Sequence, residues 1–126
     1  MEFQLDNSHD VYIQMITSAV VDKAGLIAAM SELVRHPDYH KKHSLWDFRQ
    51  ATMGLSIGDL GEIVGVLRLY KTREKNFANK SALVVPGVMD MSMARVFISL
   101  SKLLPFDYKV FKDIEEARTF LTTDSG

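Results

Sequence analysis

The stretch from Lys80 to Leu121, KSALVVPGVMDMSMARVFISLSKLLPFDYKVFKDIEEARTFL, decides the fold class. Ala82, Leu83, Val84 and Val85 form an unbroken apolar run closed by Pro86-Gly87. Such a run reads as a strand buried on both faces. From about Asp90 to Leu103 the period changes, and Met93, Phe97, Leu100 and Leu104 recur on one helical stripe until Pro105 ends it. Tyr108 to Phe111 is a second short strand. Asp113 with Glu116 then makes a capping-box pattern, followed by Ile114, Ala117, Phe120 and Leu121 as the buried face of a last helix. Strand alternating with helix requires parallel pairing through crossovers.

The same alternation extends toward the amino end. Lys71 to Asn79 is a basic-polar connector. Before it, Ser56 and Asp59 form a capping pair, and Leu60, Ile63, Val64, Leu67 and Tyr70 mark a helix. Gly58, Gly61 and Gly65 fall inside that helix, where each costs about 1 kcal/mol against alanine; close backbone packing is the expected reason. Leu45 to Phe48 reads as a short strand that leaves into a loop running through Gly54. Asp22 is an N-cap for a helix carrying Leu26, Ile27, Met30, Leu33 and Val34, which His36-Pro37 stops. Phe3 to Leu5 and Val11 to about Ser18 flank the turn formers Asn7, Ser8, His9 and Asp10, which predicts a β-hairpin. The order is β-β-α-β-α-β-α-β-α. The expected fold is one α/β domain over residues 1–126, with a five-stranded mostly parallel sheet, an N-terminal antiparallel hairpin and four helices.

Composition narrows the function classes. A chain of 126 residues fits one domain. No cysteine is present, so disulfides, a cysteine nucleophile and thiolate metal sites are excluded. Formal net charge is −1 with 25% charged residues. That balance gives no electrostatic case for nucleic acid, which needs a concentrated basic face. Glu2 and Asp6 near the amino end argue against a secretory signal. No run approaches the roughly 18 apolar residues of a membrane-spanning helix. A cytoplasmic protein without a transmembrane segment is the expectation.

Several details go beyond the element order. Trp46-Asp47-Phe48-Arg49 after the first helix, the strand Lys80 to Val85, Ala94-Arg95-Val96-Phe97, and Val110-Phe111-Lys112-Asp113 with Glu115-Glu116-Ala117 together resemble the SpoIIAA-like bacterial family, of STAS type. The resemblance runs from about Phe3 to Leu121. It implies the fold of the anti-sigma-factor antagonists, a fold also compared with CRAL-TRIO lipid-binding domains, and its motifs are structural rather than catalytic. It departs from the true antagonists at one place. They carry Asp-Ser-Ser/Thr-Gly, with a phosphorylated serine, at the start of the second helix. Here that region reads Ala51-Thr52-Met53-Gly54-Leu55-Ser56-Ile57-Gly58. Ser56 is the positional counterpart, either a switch or an ordinary helix cap. Asp124-Ser125-Gly126 sits in the tail, where it cannot take that part.

The remaining constellations each have two readings. His36, His40 and His43 could hold a metal, but Pro37 denies His36 and His40 a common helical face, and a solvated loop is the simpler account. Asp47 and Arg49, with Thr52 and Ser56, could rim a small ligand site or switch loop at a strand's carboxyl end; Asp47 could equally be a structural partner of Arg49 or of loop amides. Met89, Met91 and Met93 suit either an adaptable binding face or core. Met91, Val96, Ile98 and Leu103 lie off the main stripe of their helix, which predicts a homodimer through that face. No Gly-rich phosphate loop, nucleophile elbow or H-E-x-x-H motif occurs, so neither a cofactor nor a catalytic residue is expected. The leading expectation is a non-enzymatic regulatory or protein-interaction module of STAS type. The alternative is binding or carriage of an apolar small molecule or lipid, marked by a deep cavity lined by Met and Phe.

Overall fold

In a computed structural model describing residues 1–39, 41–69, 80–100 and 107–123, the two amino-terminal strands form the predicted hairpin. β1 (Glu2–Asp6) runs antiparallel to β2 (Tyr12–Val21), with Phe3 opposite Thr17 and Leu5 opposite Met15. The Asp6 carboxylate accepts the Ser8 amide at 2.9 Å in the turn. The Lys42 ammonium donates to the His9 carbonyl at 2.6 Å and to the Asn7 side chain at 2.9 Å, tying the turn to the start of β3 (His43–Met53). All other pairings are parallel: β2 with β3, β3 with β4 (Lys80–Val84), and β4 with β5 (Asp107–Phe111).

The strands lie in chain order, β1-β2-β3-β4-β5, and the order never reverses. Right-handed crossovers that always step the same way must all lie on one face. That face carries α1 (Lys23–Arg35), α2 (Ile57–Leu69) and α3 (Val88–Leu100). Their buried Met30, Leu33, Leu60, Ile63 and Ala94 pack on Ile13, Met15, Trp46, Phe48 and Leu83 of the sheet. The last helix, α4 (Ile114–Thr122), covers the opposite face, where Ala117 and Leu121 meet Tyr12, Leu45, Ala82, Val84 and Phe111. Alternate residues of the central strands therefore feed two separate cores, which is why those strands read as unbroken apolar runs.

The caps follow the sequence with one exception. Asp22 accepts the Gly25 amide at 2.6 Å. Ser56 and Asp59 satisfy each other's backbone amides, both at 3.0 Å. Asp113 accepts the Glu115 amide at 3.0 Å, but Glu116 makes no return bond among the described residues, so only half of that predicted box forms.

Three expectations need correction. β2 continues past Ser18 to Val21, and β3 does not leave into a loop after Phe48 but runs to Met53. Arg49 and Thr52 are thus strand residues. The parallel ladder survives because of a β-bulge: Ile16 pairs with Asp47, but Ser18 pairs with Gln50. The extra residue in β3 returns Ala51 to the same core as Phe48. At the break the Thr17 hydroxyl donates to the Asp47 carbonyl at 3.1 Å. Just beyond, Ala19 adopts φ 62°, the left-handed region that L-residues with a Cβ rarely occupy. Finally, Gly61 and Gly65 of α2 mark no close approach among the described residues: a Cβ on either would meet nothing within 4 Å. A position that does constrain its residue to glycine is Gly54, whose Cβ would lie 2.6 Å from Val20 Cγ1 and 3.0 Å from the Val21 carbonyl.

Leu103 and Leu104, His40, the connector from Lys71 to Asn79 and the tail triplet lie outside the described residues.

Candidate functional site: a cavity between the helices and the sheet

β3 and β4 present Ser44, Trp46, Phe48, Ser81 and Leu83 to the helices, because side chains of one parity share a face. Opposite them, α1 contributes Leu26, Met30 and Leu33, α2 contributes Leu60 and Ile63, and α3 contributes Met93 and Ala94. These two surfaces do not meet fully. They enclose a cavity of about 70 Å³. Met53 and Leu55 close it near the end of β3, and Tyr39 and Tyr108 line it as well.

The chemistry of the wall is uniform. Its side chains are apolar except for the hydroxyls of Ser44, Ser81, Tyr39 and Tyr108 and the indole N–H of Trp46, and no charged side chain lines it among the described residues. Burial pushes the Tyr39 phenol up to about 12. The Tyr108 phenol is also raised, by burial and then by neighbouring Tyr39. Both phenols are therefore neutral donors at physiological pH. Ser44 and Ser81 are 2% and 6% exposed. A buried hydroxyl without a hydrogen bond costs about 1–3 kcal/mol. Met30, Met53 and Met93 are unbranched and adaptable, so the space can widen at low cost.

The predicted polar site sits elsewhere. Asp47 and Arg49 lie on the α4 side of the sheet, and the structure joins them. Arg49 donates to the Asp47 carboxylate through Nε at 2.9 Å, a terminal nitrogen at 2.8 Å and its backbone amide at 3.1 Å. The Gln14 amide adds a bond at 3.2 Å. Burial works against this carboxylate, yet the Arg49 hydrogen bonds and charge prevail and hold its pKa below the ordinary value. Asp47 is spent on these partners. Arg49 also feels the acidic start of α4, Asp113 and Glu115. Thr52 is exposed, opposite Val20 on the β2–β3 ribbon. Ser56 is engaged with Asp59 at the start of α2. No hydrogen bond links Thr52 or Ser56 to the Asp47–Arg49 pair among the described residues. A strand order without a reversal also lacks the switch point at which open sheets form a ligand crevice.

His36 and His43 each accept a backbone amide. His36 Nδ1 accepts the Asp38 amide at 3.1 Å, and His43 Nδ1 accepts the Lys80 amide at 2.9 Å at the start of β4. No group of three metal-ligating side chains forms among the described residues. Of the four proposed interface positions, Met91, Val96 and Ile98 are half-buried and pack on the helical-side core.

Comparison with known proteins adds the class. No family model matches the chain, and no curated protein matches it. Among solved structures, an uncharacterized protein of the DUF3478 family with a SpoIIAA-like fold, from Shewanella loihica PV-4, superposes with TM-score 0.59. The two share 15% identity over 95% of this chain and 92% of that one. The chain has a SpoIIAA-like fold: a mixed five-stranded sheet, antiparallel only at β1–β2, with four helices. No described helix is long and apolar enough to cross a membrane.

The residues that sequence reasoning passed over are the serines. Ser81 was read only as part of a core strand, and Ser44 not at all. Their signal was a small polar residue at a core parity in each of two strands. It acquires meaning only when the strands are known to be adjacent.

Proposed function

We propose that this domain is a non-enzymatic regulatory module of STAS type that works by binding, and that it holds a small, mostly apolar molecule between its helices and sheet. The observation that carries the reading is the methionine-lined cavity, walled among the described residues by apolar side chains and neutral hydroxyls and by no charged group. Catalysis would need titratable groups converging in one cleft, and the cavity wall offers two high-pKa phenols instead. A cytoplasmic location belongs to the same proposal.

Methyl NMR of 13C-labelled methionines tests it. Titration with pentane as an apolar probe is expected to shift Met30, Met53 and Met93 saturably. Ala94, on the cavity wall and 4% exposed, is the place to fill the space. Ala94→Leu should keep the fold and abolish those shifts. Unsaturable shifts, or shifts that persist in Ala94→Leu, count against a ligand cavity.

A second reading concerns self-association. Met91, Val96 and Ile98 stay only half-buried although they reach the core, which favours a two-fold dimer along α3, with a partner protein as the alternative occupant of the face.

A further inference from the structure

Ser44 of β3 and Ser81 of β4 are register partners on neighbouring strands. Both are more than nine-tenths buried and both line the cavity. Among the described residues neither hydroxyl makes a hydrogen bond. A hydroxyl in this position has given up water and received nothing from the described residues, so alanine would be the more stable choice. Two such groups side by side, facing one space, are a donor–acceptor pair whose partner none of the described residues supplies.

We propose that Ser44 and Ser81 form the polar subsite of the cavity and bind the oxygen of a neutral, otherwise apolar molecule such as a short-chain alcohol. The proposal rests on the reading of the cavity as a ligand site. Neutrality follows from the wall. A carboxylate entering it would lose its hydration with no cation to meet it, and serine hydrogen bonds do not offset that loss. The surroundings already hold the Tyr39 phenol in its neutral form up to about 12. Size points the same way. A cavity of about 70 Å³ is under half of the ~150 Å³ that admits benzene to an engineered protein interior, so the apolar body is a few carbons unless Met30, Met53 and Met93 swing aside.

The experiment titrates 1-butanol, pentane and butanoate into the full chain at pH 7 and reads the methyl resonances of those methionines. Butanol should bind about tenfold more tightly than butanoate. In the Ser44→Ala/Ser81→Ala variant pentane binding should persist, and the butanol-to-pentane affinity ratio should fall about tenfold. The variant's denaturation midpoint should rise, because two unsatisfied hydroxyls are removed. An unchanged ratio, as a structural water on the serines would produce, overturns the proposal and leaves the cavity reading standing. A lowered midpoint in the double variant and in Ser81→Ala alone also overturns it, since the hydroxyls would then be structural. Failure of pentane and butanol alike to give saturable shifts in the native chain overturns the cavity reading itself.

Discussion

Asp47 is 4% exposed and ionised, while Arg49, which holds it, keeps 44% of its side chain in solvent. The pair is therefore asymmetric: removing the arginine strands a buried charge. Arg49→Ala is expected to destabilise the fold by about 1–2 kcal/mol, the range for charge-assisted hydrogen bonds discounted for the exposed partner. The pH dependence has a definite sign. Asp47 titrates below its ordinary 3.8 in the folded chain, so its contribution is present above that value and fades as pH falls through the lower folded value. Without Arg49 the buried carboxyl titrates higher, and acid unfolding should begin at higher pH. Urea denaturation of both proteins between pH 3 and 7 measures both effects. An unchanged acid limb would mean that Gln14 and the Arg49 amide suffice to hold the charge. The pairing was one of two readings the sequence offered, but the shared face was not legible, because Arg49 was read as leaving the strand and β3 in fact carries it on to Met53. The pair's burial was not legible either, because that depends on α4, which arrives from the far end of the chain.

At the level of elements, α2 shows how a local rule can mislead. Three glycines inside a helix suggest a backbone pressed against a neighbour, but Gly61 and Gly65 are exposed and a Cβ on either finds open space. The helix therefore tolerates them instead of requiring them. Gly61→Ala and Gly65→Ala should each stabilise the protein by about 0.5–1 kcal/mol, through helix propensity and a less disordered unfolded chain. Gly54→Ala should do the opposite, since its Cβ would collide with Val20 and the Val21 carbonyl. Thermal unfolding of the three variants settles the order, and destabilisation by both helical substitutions would restore the close-packing account. β3 is the other instructive element. Arg49-Gln50-Ala51-Thr52 looks like loop because exposed polar residues interrupt the apolar period. The strand persists because β2 continues alongside it and the bulge returns Ala51 to the core.

For the whole molecule, the arrangement places three helices on one face of the sheet and one on the other. The crowded face contains the cavity, and α3 on that face also carries the half-buried Met91, Val96 and Ile98. If that surface closes a two-fold dimer, light scattering at micromolar concentration should give twice the monomer mass for the native chain, and Ile98→Glu or Met91→Glu should return it to monomer. A native monomer, or a dimer indifferent to both charges, removes self-association from the proposal.

What the sequence determined by itself was everything that depends on short range. Periods of two and 3.6 residues identified strands and helices, Asp22, Ser56 and Asp113 marked three helix starts, and the alternation from Lys80 to Leu121 required a parallel sheet. Beyond the amino-terminal hairpin, the tertiary structure alone decided which strands became neighbours and what lay across from each face. That adjacency carried β3 past its apolar residues, closed Arg49 onto a buried Asp47, and set Ser44 beside Ser81 at the wall of a cavity. The physical reason is the same in each case. Propensity and period act between residues a few positions apart, whereas burial and hydrogen-bond satisfaction are settled by groups tens of residues away, and only the folded chain brings those together.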